Sequence, residues 1–388
     1  LQVLLLISTG ALADHGARRK LFLLIPVLVG TVAYGLMPAA VRPSLVVLAG
    51  VLVVIGKACF GTSYAFYQAC IPTLVRLHPD VLAAKTRETD PAKIMQVIER
   101  TGSSISGHGI AIGYVACAAL LGIGMAMIHM LQDVVYALQI SCSLAAFCWL
   151  IAILTANRLM PVRPGPPLPA GEHRLLYSWK QLFRALYRLR KYAHIFNCLI
   201  SWFIFACSAR SVNYSLVLFK KPTSDEEFRQ LFLVLLTVPL AAVIGTYFWL
   251  LVKRITGLTT GKILMLIYVC HTVLPIYKLI DLAISAGMPR SSWLWVMLPY
   301  HGFMFGAIRS FSRVMFSDML PIGMECEFFG LYEVVNEFAA WIGPMIAFVL
   351  YGYSEVVRYA IIILIIILLL PVLLTWRAEV NRARREAQ

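Results

Sequence analysis

Apolar runs of about 20 residues, each ended by a short polar or charged cluster, recur along the whole chain. As helix, such a run crosses roughly 30 Å of hydrocarbon. Barrel strands would alternate polar and apolar positions, and these runs do not, so the pattern predicts membrane-crossing helices. Ten full spans are expected, near residues 21–37, 45–70, 107–128, 135–156, 193–218, 230–252, 262–281, 292–314, 329–350 and 357–376. The short stretch Leu1 to Ile7 reads as the tail of a further helix that begins outside this numbering.

Charge fixes an orientation for these spans. Loops 10–20, 71–106, 157–192, 253–262 and 309–328 and the tail after Trp376 hold 25 of the 34 Lys and Arg, whereas the opposite loops hold six. Positive loops stay in the cytosol, which places the first set and the C-terminus there. Composition agrees with a lipid environment: 60% of residues are hydrophobic, mean hydropathy is +0.79, and the 14% charged compares with roughly 25% in soluble domains.

The net charge of +15 does not indicate a nucleic-acid partner, because the basic residues sit in loops between spans. The lipid bilayer is the partner they suit. Nine cysteines without a CxxC pair argue against a zinc site or a disulfide framework, and read as packing residues. Without HExxH, GxSxG or P-loop signatures, no enzyme, metal or cofactor is expected.

Three segments are expected: a helical half over 1–156, a cytosolic linker over 157–192 and a six-helix half over 193–388. The linker opens with the proline-rich strap Pro161–Pro169, which suits an extended polyproline conformation. It continues into 178–191, where Trp179, Leu182, Phe183 and Leu186 share one helical face and Lys180, Arg184, Arg188 and Lys191 lie elsewhere. An amphipathic helix in the headgroup layer and a calmodulin target both fit that pattern.

Charges inside spans are costly, about 2.5–3.5 kcal/mol each on insertion scales, and so mark candidate function. Lys57, Arg210 and Glu337 lie within spans, with Tyr64, Tyr67, Gln68 and Asn213 beside them; these seven residues are the candidate substrate contacts. Glu333 shares a helical face with Glu337 and is expected to reach the interface, and Lys278 to snorkel. Arg309 and Arg313, near Asp318, Glu325 and Glu327, form either a salt-bridge gate or a positive-inside anchor. Gly109-xxx-Gly113 is expected to seam two helices closely. Among the histidines, His78, His108, His194, His271 and His301 read as packing residues; Glu337 is the stronger proton-carrier candidate.

The hairpin Gly10-Ala-Leu-Ala-Asp14-His-Gly16-Ala-Arg18-Arg19-Lys20 resembles the G-x-L-A-D-x-x-G-R-R-K loop of the major facilitator superfamily. Its glycines permit a tight turn, and Asp14 can accept from backbone N–H groups at a helix start. The resemblance implies an all-α fold of two six-helix halves, here with the first helix missing and the second partial. It implies gating for Asp14, Arg18 and Arg19. Within that superfamily, Leu235–Gly245, Gly306–Arg313, Glu327-Phe-Phe-Gly-Leu-Tyr332 and Trp341-Ile-Gly-Pro344 resemble the autophagy-related protein 22 family. The segments Ser104–Tyr114, Trp179–Phe183 and Arg163–Pro169 are similar to it as well.

That family implies export of amino acids, neutral ones such as leucine, from the vacuole lumen to the cytosol in autophagic recycling; protons are a candidate coupling ion through Glu337. A carrier of sugars or drugs and a non-transporting sensor are the alternatives. Two positions depart from the family. Ser208-Ala209-Arg210 replaces its usual Ser-Asp-Gly, and Asn336-Glu337 its Asp-Lys, so opposite charge changes fall on two helices. Such reciprocity suggests that Arg210 and Glu337 face one another, although their backbones differ by roughly 10 Å in depth at 1.5 Å per residue.

Overall fold

The structure is a computed structural model that describes residues 1–16, 19–160, 167, 174–187, 193–218, 225–284, 290–351 and 357–386. Fifteen α-helices and no strand are found among them. They are α1 (Gln2–Ala13), α2 (Arg19–Gly35), α3 (Val46–Gln68), α4 (Ile71–Arg76), α5 (Pro79–Arg87), α6 (Pro91–Leu131), α7 (Val134–Leu159) and α8 (Arg174–Tyr187). Then follow α9 (Ala193–Leu218), α10 (Asp225–Thr256), α11 (Thr260–His271), α12 (Val273–Ile284), α13 (Arg290–Asp318), α14 (Glu325–Tyr351) and α15 (Val357–Glu386).

Seven helical segments among the described residues combine the length and hydropathy of a membrane span, from Arg19–Ala39 to Thr260–Tyr277. Helices α13, α14 and α15 are also long enough, at 29, 27 and 30 residues. Each of the ten expected spans falls on helix, but 262–281 is divided. Helix α11 ends at His271 and α12 begins at Val273, with the Thr272 hydroxyl donating to the Val269 carbonyl at 2.7 Å. Prolines inside α2, α10, α13, α14 and α15 leave those helices continuous. Membrane helices tolerate such prolines because neighbouring groups re-satisfy the freed carbonyls. At Pro371 the carbonyl accepts from Ser201 Oγ at 3.1 Å.

Packing sorts the residues into two compact units. The first comprises Leu1–Cys70, Ala119–Leu189 and Leu320–Val334. In it α2 packs on α3 and α7, and α1 on α3 and α8. Leu6, Ala65 and Val334 form a small core, and Gly30 lets the Trp149 ring approach α2. The second unit comprises Ile71–Ala118, Arg190–Met319 and Val335–Gln388. Its main pairings are α10 with α13, α9 with α15, and α11 with both α13 and α15.

The expected glycine seam is displaced. Gly113 is exposed with no atom near its would-be side chain. The close approach lies between α10 and α13 instead, where a methyl group at Gly245, Gly302 or Gly306 would press on the backbone of Phe303, Val238 or Ala242. Lipid gives helices no hydrophobic reason to associate, so van der Waals contact between smooth backbones has to hold such a pair. Gly306→Val is therefore expected to lower the melting temperature of the purified protein by several degrees, an overpacking cost of about 1–3 kcal/mol. Gly113→Val should leave it unchanged.

The α8 helix coincides with the expected amphipathic segment and is docked on α1. Tyr177 Oη lies 3.2 Å from His15 Nε2, and Trp179 Nε1 donates to Ser8 Oγ at 3.2 Å. Phe183, Lys180 and Arg184 are exposed. The strap Pro161–Pro169 lies outside the described residues except for Pro167, as do Arg188 and Lys191.

Candidate functional site: two carboxylate clamps and an intramembrane cation

Helix N-termini leave backbone N–H groups without intrahelical partners and carry partial positive charge. In the first unit, the hairpin between α1 and α2 answers this need at the start of α14. Gly16, two residues after Asp14, takes φ +68°, a left-handed conformation that glycine adopts without strain. The Asp14 carboxylate, only 6% exposed, then accepts from the Cys326 N–H through Oδ1 and from the Glu327 N–H through Oδ2, both at 2.9 Å. Burial raises the Asp14 carboxyl to about 6, against the lowering pull of those two amides and of Arg19. Burial, with the neighbouring Asp14 charge, pushes Glu327 up to about 8. Gly10 lies in contact with the backbone of Cys326 and Glu327, and Gly330 with that of Leu6 and Gly10, so these glycines bring α1 and α14 together.

The basic end of the hairpin is more specific than membrane anchoring. Arg19 donates to the Ala69 carbonyl at the end of α3, and Lys20 to the Asn157 carbonyl in the last turn of α7 at 2.8 Å. Cations at helix C-termini complement the dipole and satisfy the last carbonyls. Arg18 lies outside the described residues.

A second clamp, which the sequence did not reveal, is built in the second unit. Glu99 of α6 accepts from the Thr260 N–H at the start of α11 at 3.0 Å and from the Thr260 hydroxyl at 3.2 Å. Lys253 at the end of α10 sits beside it, donating to Ser103 Oγ and Thr260 Oγ1 at 2.6 Å each, with Glu99 Oε2 at 3.9 Å. Glu379 of α15 accepts from the Gly261 N–H and the Thr259 hydroxyl, both at 3.1 Å. A methyl group on Gly261 would collide with the Glu379 carboxylate. The one available signal was the short hairpin Lys253–Lys262, a glycine-bearing positive turn like the first. Its acid comes from a helix about 160 residues away, so spacing alone could not find the pair.

The candidate substrate residues divide between the units. On α3, Lys57 is exposed, and Phe60, Tyr64 and Tyr67 follow it at helical spacing with ring centroids 6.0 and 6.3 Å apart. Gln68 is buried and donates to Glu333 Oε1 at 2.6 Å. Glu333 is thus a buried acceptor, 3% exposed, rather than a group reaching the interface. In the second unit, Arg210 of α9 reaches α14 and donates to Asn336 Oδ1 at 3.1 Å; Glu337, the next residue, is half-buried. Arg210 thus bonds across to α14 at the residue before Glu337. The side chains of Asn213 and Lys278 lie outside the described residues.

The two gating arginines of α13 take different surroundings. Arg313, 3% exposed, donates through Nε to Ser106 Oγ and through Nη2 to the Ser106 carbonyl, both at 2.7 Å. It ties α13 to α6 through a serine, not through the acids near it in sequence. Arg309 is half-buried with its guanidinium 5.9 Å from the Phe305 ring centroid. His271 and His301 form a buried pair, Nε2 to Nδ1 3.1 Å, among Phe205 and Phe305. No cluster of metal-binding side chains occurs among the described residues.

This all-helical arrangement is that of the major facilitator transporters. The human organic anion transporter MFSD10 superposes with TM-score 0.62 at 15% identity, over 97% of this chain and 81% of its own. The fucose:proton symporter of E. coli gives 0.59 at 13% identity, over 96% and 87%. The chain belongs to the family described as vacuole effluxer Atg22-like, whose model matches residues 1–388. Autophagy-related protein 22-1 of Aspergillus niger is 26% identical over all of this chain and 72% of its own length. The corresponding protein of Penicillium rubens is 24% identical over all of this chain and 74% of its own. The protein is a multi-pass transporter of the vacuolar membrane linked to autophagy, and not an enzyme.

Proposed function

We propose that this transporter moves amino acids, neutral ones such as leucine, from the vacuole lumen to the cytosol by alternating access. Arg210 carries the reading. It is a guanidinium at the end of the apolar stretch Ala193–Arg210 of α9, bonded to Asn336 of α14, the residue before Glu337. A cation and an anion at neighbouring positions complement the carboxylate and ammonium of a free amino acid, and a planar guanidinium suits a carboxylate in particular. Lys57, Tyr64, Tyr67, Gln68 and Asn213 are the further candidate contacts.

Alternating access needs elements that hold one state and release it. Asp14, Arg18, Arg19, Arg309 and Arg313 are the proposed gating residues, with residues 157–192 linking halves 1–156 and 193–388. Protons are the proposed coupling ion, with Glu337 as carrier. Counterflow into liposomes holding purified protein tests the substrate class. Leucine should exchange, while hexoses and lipophilic drugs should not; exchange of a hexose alone would overturn the reading.

Orientation is a separate expectation. With the native cysteines replaced, Arg184→Cys and Arg382→Cys should label from the cytosol, and Lys221→Cys and Arg290→Cys from the lumen. Labelling of positions 184 and 382 from opposite sides would remove the even number of crossings between them.

A further inference from the structure

The end of the second unit that bears the positive loops contains a cleft of about 1040 Å³. The start of α6, the end of α10, the turn into α11 and the end of α15 wall it. Five cations line it, Lys93, Arg100, Lys253, Arg254 and Lys262, against two carboxylates, Glu99 and Glu379, with Lys93 also paired to Glu88 at 3.6 Å. Both carboxylates are engaged at the α11 N-terminus, on the amides of Thr260 and Gly261. Lys253 is buried beside Glu99, whereas Arg100, Arg254 and Lys262 stand exposed around the opening. No ion pair joins those three to a carboxylate among the described residues.

Holding several like charges around one concavity raises their mutual repulsion, and an anion entering it relieves that cost. Arginine forks match phosphate oxygens two at a time, and a multiply charged phosphate uses more of them than a carboxylate does. Position narrows the source. The cleft lies where the apolar spans end, and its rim carries Leu251 at 53% and Trp376 at 55% exposure. Tryptophan favours the headgroup level, and an exposed leucine beside it offers a surface for acyl chain. Basic pockets between membrane helices on the cytosolic side suit phosphorylated headgroups. The volume is ample for a phosphorylated inositol ring.

We propose that this cleft is a binding site for a multiply phosphorylated inositol group, presented by a membrane lipid. Arg100 and Arg254 grip the phosphates, Lys93 and Lys262 close the sides, and Leu251 and Trp376 lie along the first part of the acyl chain. Nothing in this assignment depends on which solute is transported.

The test uses the full chain purified in detergent, titrated with short-chain phosphatidylinositol bisphosphate, soluble inositol bisphosphate, inorganic phosphate and short-chain phosphatidylserine. The lipid bisphosphate is expected to bind saturably. Replacing Arg100→Gln with Arg254→Gln should weaken it by about tenfold or more, because charge-assisted bonds are lost. The paired control Lys85→Gln with Arg87→Gln, exposed basic residues of α5 outside the cleft, should change it by less than about twofold, as screened surface charges do. Both pairs are exposed, and an unchanged melting temperature establishes that each variant is folded.

Tighter binding of the lipid than of the soluble inositol bisphosphate supports the membrane source. Equal binding of the two keeps the phosphate site and removes the lipid. Absence of saturable binding by either overturns the proposal. So does equal affinity for phosphatidylserine, or equal weakening by the control pair.

Discussion

Asp14→Asn is expected to slow transport by about tenfold or more while leaving the protein folded, because it takes away one of two charge-assisted hydrogen bonds worth about 1.5–3 kcal/mol each. The carboxylate presents two acceptors to two N–H donors at the start of α14. An asparagine of the same shape presents one acceptor, and its NH2 group would face the second N–H. The asparagine also escapes the cost of burying the carboxylate charge, so the balance between clamped and released states shifts and the cycle stalls on one side.

Folding should not suffer, since Asp14 is ionised at a cost. Its carboxyl is raised to about 6 in the folded protein from an ordinary 3.8. The folded chain therefore binds this proton more tightly than the unfolded chain does. The contribution to stability is full below about 3.8 and is lost as pH rises through about 6. At pH 7.5 the neutral asparagine escapes that cost, so the variant should melt no lower than the parent.

The same shift makes the clamp pH-dependent: Asp14 binds its proton more tightly when buried against α14 than when released, so protonation favours the clamped state. Above about 6 the buried carboxylate is ionised at a cost and the clamp releases more readily; below about 6 the protonated acid is held more firmly. Transport by the parent protein is expected to fall as pH on the hairpin side drops below 6, and Asp14→Asn should be flat across that range. Parental transport rates in Asp14→Asn would leave the hairpin as a topogenic loop without a gate.

The second large effect is expected at Arg210. Arg210→Ala should reduce leucine counterflow by about a hundredfold or more, since it removes the cation proposed to hold the substrate carboxylate together with its hydrogen bond to Asn336. Asn336→Ala should cost about tenfold, the scale of one hydrogen bond to a charged group. The double variant should be no worse than Arg210→Ala alone, because both changes break the same contact. Arg210→Lys should restore little, for an ammonium lacks the planar fork. The reciprocal exchange Arg210→Glu with Glu337→Arg discriminates further. Activity above that of either single change would make Arg210 and Glu337 a working pair, whereas additive losses would leave the guanidinium to the substrate carboxylate.

The sequence by itself determined the membrane-crossing class, the ten span positions and the alternation of charge. Each of these is a property of consecutive residues, because hydrocarbon demands an unbroken apolar helix of fixed length and the loops alone carry orientation. It also marked Asp14, since a tight glycine turn beside an acid is a local motif. Two groups of observations came only from the tertiary structure. One was which helix start the Asp14 carboxylate would meet, more than 300 residues away, together with the Glu99–Lys253–Thr260 network that satisfies a second one. The other was where glycines act: Gly113 faces open space while Gly245, Gly302 and Gly306 meet backbone, although the spacing of small residues looks alike in both places. The physical reason is common to all of these. An orphan amide or an absent side chain has meaning only through the atom opposite it, and helix pairing, not the order of residues along the chain, decides which atom that is.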